Sequence, residues 1–249
     1  MIESVCMDKL PLFVLPMVLM PGEETELRVF EPRYKQMLDD CLLDEKNFGL
    51  IMSDPFEQIN GWDKPVAIGC EAEILEHETK GSNHFIRIVG RRKFRITSLI
   101  EPALPPFSDS MFDQSSIQMG IYPDMETLYD LIPEEFDHKK LYISSEVQYL
   151  EKFDKLSTEE QDSLNYVVKT VMEKIGTMLN IGSEELEDWI SLSPVSQVVD
   201  EDGESVNLLT SMLVNDLGTR QEILSCLNAT DAVEEIMKHF SDFLEAQSS

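Results

Sequence analysis

With 249 residues, 42% of them hydrophobic and 27% charged, the chain is long enough for one large or two ordinary globular domains with buried cores. Its 20 Lys and Arg against 48 Asp and Glu give a formal net charge of −28, a field that repels phosphate and argues against nucleic acid or an anionic membrane as a partner. The imbalance is uneven: residues 1–108 carry 12 basic and 18 acidic groups (−6), residues 109–249 carry 8 and 30 (−22).

The first apolar run, Leu10 to Met20, is shorter than the ~20 residues a bilayer needs. Pro11 and Pro16 break it as a helix, and the segment LPLFVLP reads as a short strand. Acidic Glu3 and Asp8 before it, and PGEE after it, make it a poor signal peptide. Pro32 to Leu43 is predicted helical: Tyr34, Met37, Leu38, Cys41 and Leu42 recur at helical spacing, and Pro32 suits the first position, where no backbone donor is needed. FGLIMS, from Phe48, is another short strand. Val66, Ile68, Cys70, Ala72 and Ile74 alternate with Glu71 and Glu73, the pattern of a half-buried strand. The turn material His77 to Asn83 leads to an antiparallel partner at His84 to Val89, and Arg91 to Ile100 alternates again. Glu101 to Ser116 reads as a loop, and Ser116 to Tyr122 as the last strand.

Beyond Pro123 the period becomes helical. Ser157 to Glu160 forms a capping box ahead of the stripe Leu164, Val167, Val168, Val171, Ile175, Met178 and Leu179. A second box is predicted at Thr219 to Glu222, leading into Ile223, Leu224 and Leu227. A final helix shows Val233, Ile236, Met237, Phe240 and Leu244, with the glycosylation-like Asn228-Ala229-Thr230 read as its cap. Asp200 to Ser205 is an acidic linker. The expectation is an α+β chain with a β-barrel-like domain over residues 1–122 and a mainly helical domain over residues 123–249.

Phosphate-cradling glycine loops, nucleophile elbows and zinc-protease motifs do not occur in the sequence. The four His residues lack metal-like spacing, and the scattered Cys6, Cys41, Cys70 and Cys226 read as reduced thiols of a cytoplasmic protein. No cofactor, metal or catalytic group is expected.

Four segments in register, LPLFVLPMVLMPG, LRVFEPRYKQML, FGLIM and AIGCEAEI…FIRIVGRRKFRI, resemble the amino-terminal, substrate-binding domain of Lon proteases and its stand-alone relatives. Phe30 to Tyr34 and Gly90 to Ile96 are the most specific tracts. The resemblance covers residues 8–100 and implies a PUA-like β-barrel with a packed helix, followed by a helical bundle. It also implies a role in binding polypeptides, unfolded chains or partners such as a protease, without the ATPase and peptidase of full-length Lon. The expected function is a non-catalytic protein-binding module or proteolysis adaptor. A hydrolase with an unrecognised catalytic cluster and an RNA-binding PUA-like module are the alternatives, and oligomeric state is not legible. Candidate binding residues are Arg91, Lys93 and Arg95, read as one basic strip, and Arg33. Against that reading stands a cross-strand ladder to Glu71 and Glu73, which the balance of argument favours for the strip, just as it favours a structural pairing for Arg33.

Overall fold

The computed structural model describes residues 8–59 and 61–241. It has a mixed α+β architecture of two compact units. One unit holds Glu24–Tyr149 and the chain up to Leu19; the other holds Met20–Glu23 and the chain from Leu150.

The first unit is built on strands β1 (Asp8–Leu15), β2 (Glu24–Val29), β3 (Phe48–Ile59), β4 (Trp62–Pro65), β5 (Ile68–Lys80), β6 (Asn83–Ile100) and β7 (Ser144–Tyr149). β1 pairs in parallel with β3 and antiparallel with β7. β3 pairs with β5, β5 with β6, and β6 with β7, so five strands close into a ring of pairings. Closure removes free edges within the ring. β2 and β4 lie outside it, on β6 and β3 respectively.

Strand β1 shows why its sequence is an almost unbroken apolar run. Leu10, Leu12 and Val14 join Ile51, Phe94 and Val147 in one core cluster, while Phe13 joins a second cluster beneath helix α1 (Pro32–Leu43). A strand buried on both faces cannot alternate with polar residues. Helix α1 covers the sheet with Tyr34, Met37, Leu38 and Cys41. Its Gln36 side chain donates to Lys139 O and accepts from the Leu141 amide, at 2.8 and 2.7 Å. That amide fixes the segment leading into β7. The intervening residues 101–143 form a satellite core of Leu104, Phe112, Leu128 and Leu141.

Several sequence expectations change here. Ser116 to Tyr122 is not a strand. Asp113 accepts from the Ser115 amide and caps a short helix α2 (Gln114–Gln118), and Gly120, at φ +75°, ends it. The alternation there is incidental, and the last strand is β7. The boundary expected after residue 122 accordingly lies inside the first unit, whose sheet is completed only at Tyr149. The two strands expected over His84 to Ile100 are one, and the turn before them narrows to residues 81–82. Helix α3 (Met125–Asp130) falls in the stretch expected to be helical, whereas β2, β4 and β7 have no counterpart in the sequence expectation.

The second unit is helical: α4 (Thr158–Met178), α5 (Ser183–Leu192), α6 (Ser205–Leu213), α7 (Leu217–Ser225) and α8 (Ala229–His239). Ser157 and Glu160 form the expected capping box, and Asn228 caps α8 by accepting from the Asp231 amide at 2.8 Å. Thr219 does not cap α7. Asp216 does, accepting from the Thr219 amide at 2.7 Å, because a carboxylate three residues upstream is already in place. Leu244, expected in the last stripe, lies outside the described residues. Buried Arg220 on α7 pairs with Glu23 and donates to Val214 O, which ties Met20–Glu23 into the helical unit.

Phe94 is fully buried in the ring, and two glycines make room for it. A Cβ on Gly49 would lie 2.6 Å from Phe94 Cζ, and one on Gly69 would lie 2.7 Å from it. Gly49→Ala should therefore destabilise the protein by about 1–3 kcal/mol through overpacking, read as a lower urea midpoint with native far-UV circular dichroism. An unchanged midpoint would contradict this packing.

Candidate functional site

The four residues expected to bind do not form one cluster. Strand β6 pairs Lys93 with Cys70 but Gly90 with Ala72, so it carries a β-bulge at Arg91 and Arg92. A bulge shifts the alternation by one residue. Arg91 and Lys93 therefore do not share a face, and Lys93 is buried at 3% exposure. Arg91 lies on the surface and donates from Nε to Glu73 at 2.5 Å. Arg95 is exposed opposite Ile68 and Gln148. Arg33 pairs with Glu31 at 2.9 Å, and its guanidinium stacks 4.3 Å from the Tyr34 ring and 4.7 Å from the Trp62 ring.

The bulge instead presents Arg92, which had not been singled out. Arg92 donates to both carboxylate oxygens of Glu71, at 2.7 and 3.2 Å, and lies 3.5 Å over the Tyr149 ring. Asn47 and Tyr149 also donate to Glu71, each at 3.1 Å. Burial pushes the Glu71 pKa up, but these donors and the Arg92 charge outweigh it and hold the carboxyl below its ordinary value. The network joins β5, β6, β7 and Asn47, the residue before β3, at one point.

Nucleophile chemistry finds little support. Cys41 is buried in an apolar cluster; burial, with Asp40 and Asp44 nearby, pushes its thiol up to about 12, so it carries no thiolate at neutral pH. Tyr142 donates to Asp40 at 2.6 Å, and Lys140 pairs with the same oxygen at 2.6 Å. His77 and His84 meet across the β5–β6 turn at 3.0 Å, both beside Thr79, and His239 lies 3.2 Å from Thr219. The Asp216 carboxylate there accepts from Thr219 rather than orienting the imidazole, so the arrangement lacks the order of a Ser–His–Asp relay. Among the described residues no group of three or more His, Cys, Asp or Glu could hold a metal ion.

What stands open is a groove of about 840 Å³ where β2 runs into α1. Arg28, Phe30 and Lys35 form one wall, and Met119, Ile121 and Tyr122 form the other. Phe30 is 46%, Ile121 57% and Met119 69% exposed. The aromatic ring of Tyr122 packs 5.0 Å from Phe107 and 6.4 Å from Phe30, which anchors this wall to the satellite core. Arg28 lies 5.7 Å over the Phe30 ring. Among the described residues neither Arg28 nor Lys35 has an ion-pair partner, so a groove in an acidic protein shows two unpaired cations against one carboxylate, Asp124. Beside it, β2 pairs on one side only among the described residues, with β6. Its alternation places Glu24, Glu26 and Arg28 outward, the charged dressing common on free sheet edges. Sequence reasoning could have found β2 from that alternation. The groove had no local signal, because its walls lie some ninety residues apart in sequence, Phe30 against Ile121.

Among family models, the ATP-dependent protease La (LON) substrate-binding domain matches residues 9–242. The Lon N-terminal domain protein from Xanthomonas campestris, known from its crystal structure, is similar at 20% identity and TM-score 0.56, with 93% of this chain and 98% of that chain covered. The N-terminal domain of the Mycobacterium avium complex Lon protease is similar at 11% identity and TM-score 0.56, with 94% and 99% covered. At these identities the two structures speak to fold alone. No curated protein sequence matches the chain.

Glu71→Gln tests the network. A carboxyl whose pKa is lower folded than unfolded contributes stability above the ordinary carboxylate range and loses it as pH falls through the folded value. Wild-type stability should fall on acidification below about pH 4.5. The variant should lose about 1.5–3 kcal/mol at pH 7 and show a shallower acid slope. Identical acid slopes would show that Glu71 is not held as described.

Proposed function

We propose, for a chain that belongs to the Lon substrate-binding domain family, that it captures polypeptide at the groove between Phe30 and Ile121 and along the neighbouring edge of β2, without catalysing a reaction. The observation that carries this reading is the pairing of an exposed apolar groove with a one-sided strand in the same unit. Sheet-edge addition takes its affinity from main-chain hydrogen bonds and its selectivity from side-chain pockets, so it suits clients of varied sequence. Met119 adds an adaptable thioether to the wall. The unpaired Arg28 and Lys35 favour clients that present an acidic residue or a terminal carboxylate next to an apolar side chain. An adaptor role in proteolysis, with a protease as partner, is the wider reading that the family suggests.

The engagement of Arg33, Arg91 and Arg92 by neighbouring acids supports a structural role for them. The buried position of Lys93 supports the same. The scarcity of activated nucleophiles among the described residues favours binding over hydrolysis, and the net charge of −28 disfavours the RNA-binding alternative.

Fluorescence titration of unfolded casein against the whole chain tests the proposal. Ile121→Asp and Phe30→Asp, both at exposed positions, should each weaken capture by roughly tenfold while leaving the melting temperature nearly unchanged. Arg91→Glu should leave affinity per folded molecule unchanged. Capture that survives both groove substitutions would place the site elsewhere, and failure of the wild-type chain to bind would end the proposal.

A further inference from the structure

The helical unit carries an apolar surface that its own packing leaves open. On α4, Leu164, Val167, Val168 and Val171 are buried, but the same stripe continues through Ile175, Met178 and Leu179, which are 37%, 77% and 62% exposed. The stripe outruns its cover by about two turns. Helix α5 packs beside it: Leu186 and the Trp189 ring rest on Gly176, where any Cβ would collide with Leu186. Yet α5 buries none of its own residues. A groove of about 390 Å³ runs between the two helices, with Val168, Leu186 and Ile190 in its lining and Glu173 and Glu187 beside them.

The α4 wall of the groove balances its charge, with Lys169 3.8 Å from Glu173, but the α5 side does not. Helix α5 carries Glu184, Glu185, Glu187 and Asp188 and no basic residue. None of the four is in an ion pair among the described residues. Glu184 and Glu185 lie in the first turn, where the helix dipole favours them. Glu187 and Asp188 lie past it, and Asp188 approaches the end where the dipole opposes a negative charge. Helix stability therefore does not explain them. They suit a partner that supplies cations.

We propose that the α4–α5 surface docks a basic amphipathic helix of a partner polypeptide. Its apolar face would cover Ile175, Met178 and Leu179, and its Lys or Arg side chains would meet Glu187 and Asp188. The described residues of the second unit contain no strand to template main-chain addition, and an apolar stripe beside a groove between two helices suits helix-in-groove recognition. A second copy of this chain is a poor occupant, because it brings the same carboxylates, and residues 109–249 carry a net −22. Exposed Met178 gives the surface adaptability toward the packing of such a helix. This docking is separate from polypeptide capture at the β2 groove.

The probes are three synthetic peptides of about five helical turns: a Leu/Lys amphipath, its Leu/Glu counterpart and a Lys/Ser peptide of equal positive charge. They are titrated by fluorescence anisotropy into the whole chain at physiological salt. The Leu/Lys peptide should bind, the Leu/Glu peptide should not, and the Lys/Ser peptide should bind at least roughly tenfold more weakly. Met178→Asp adds a negative charge, so a purely electrostatic attraction would strengthen, whereas docking on the apolar surface predicts roughly tenfold loss. The E187K/D188K double variant should show a similar loss, and casein capture should be unchanged in both. Leu179→Ser, which removes only apolar surface, repeats the test if Met178→Asp perturbs the circular dichroism spectrum. No binding of the Leu/Lys peptide, or affinity unchanged in the variants, would overturn the proposal. So would sedimentation showing a dimer that Met178→Asp dissociates, since that outcome makes a second copy the occupant.

Discussion

The first unit is organised around the backbone pairing of β6, an 18-residue strand that three other strands use as their template. Residues 84–89 are held between β2 and β5, residues 94–95 between β5 and β7, and the strand ends on β7 alone. The bulge at Arg91 and Arg92 marks the change from one set of partners to the other. Past the bulge, Phe94 enters the ring against Gly49 and Gly69. Before it, the strand supports β2, whose other side is left without a strand partner among the described residues. The ring therefore gives rigidity, and the extension gives an edge that a ring cannot have. The two properties are needed together if a stable scaffold is to take up another chain through its backbone.

The same geometry separates structural charge from charge available to a partner. Glu71 has Arg92, Asn47 and Tyr149, Glu73 has Arg91, and Glu31 has Arg33. Arg87 bridges Glu24 and Glu76 at 2.6 and 2.5 Å. These pairs lie across strands or turns and spend their cations within the unit. Arg28 and Lys35, at the mouth of the groove, are not spent in this way. In a chain of net charge −28, these two cations stand beside Phe30 without an ion-pair partner among the described residues, with Asp124 on the opposite wall.

Elements whose stabilising pattern is contiguous could be read directly from the sequence. Pro32 to Leu43 is the helix its spacing predicts, and the run from Leu10 holds β1 despite its prolines. Ser157 and Asn228 cap the helices expected of them. Elements that depend on distant partners could not be read this way. β7 is short and polar, and it becomes a strand because Val147 finds Ile96 and Ser144 finds Pro11. Counting alternate residues from Arg91 to Arg95 passes through the bulge without seeing it, so Arg91 and Lys93 are assigned one face that they do not share. The groove shares this fate, since Gln36 and the satellite core position its far wall through contacts that no local window contains.

The central claim is that a client chain adds to β2 and fills the adjoining groove. Amide hydrogen exchange of the whole protein, with and without saturating unfolded casein, tests it directly. The account predicts new protection concentrated on residues 24–30 and 119–125, with the buried strands β1 and β3 unchanged. Protection confined to the helices of the second unit, or no change over residues 24–30 while casein is bound, would contradict it.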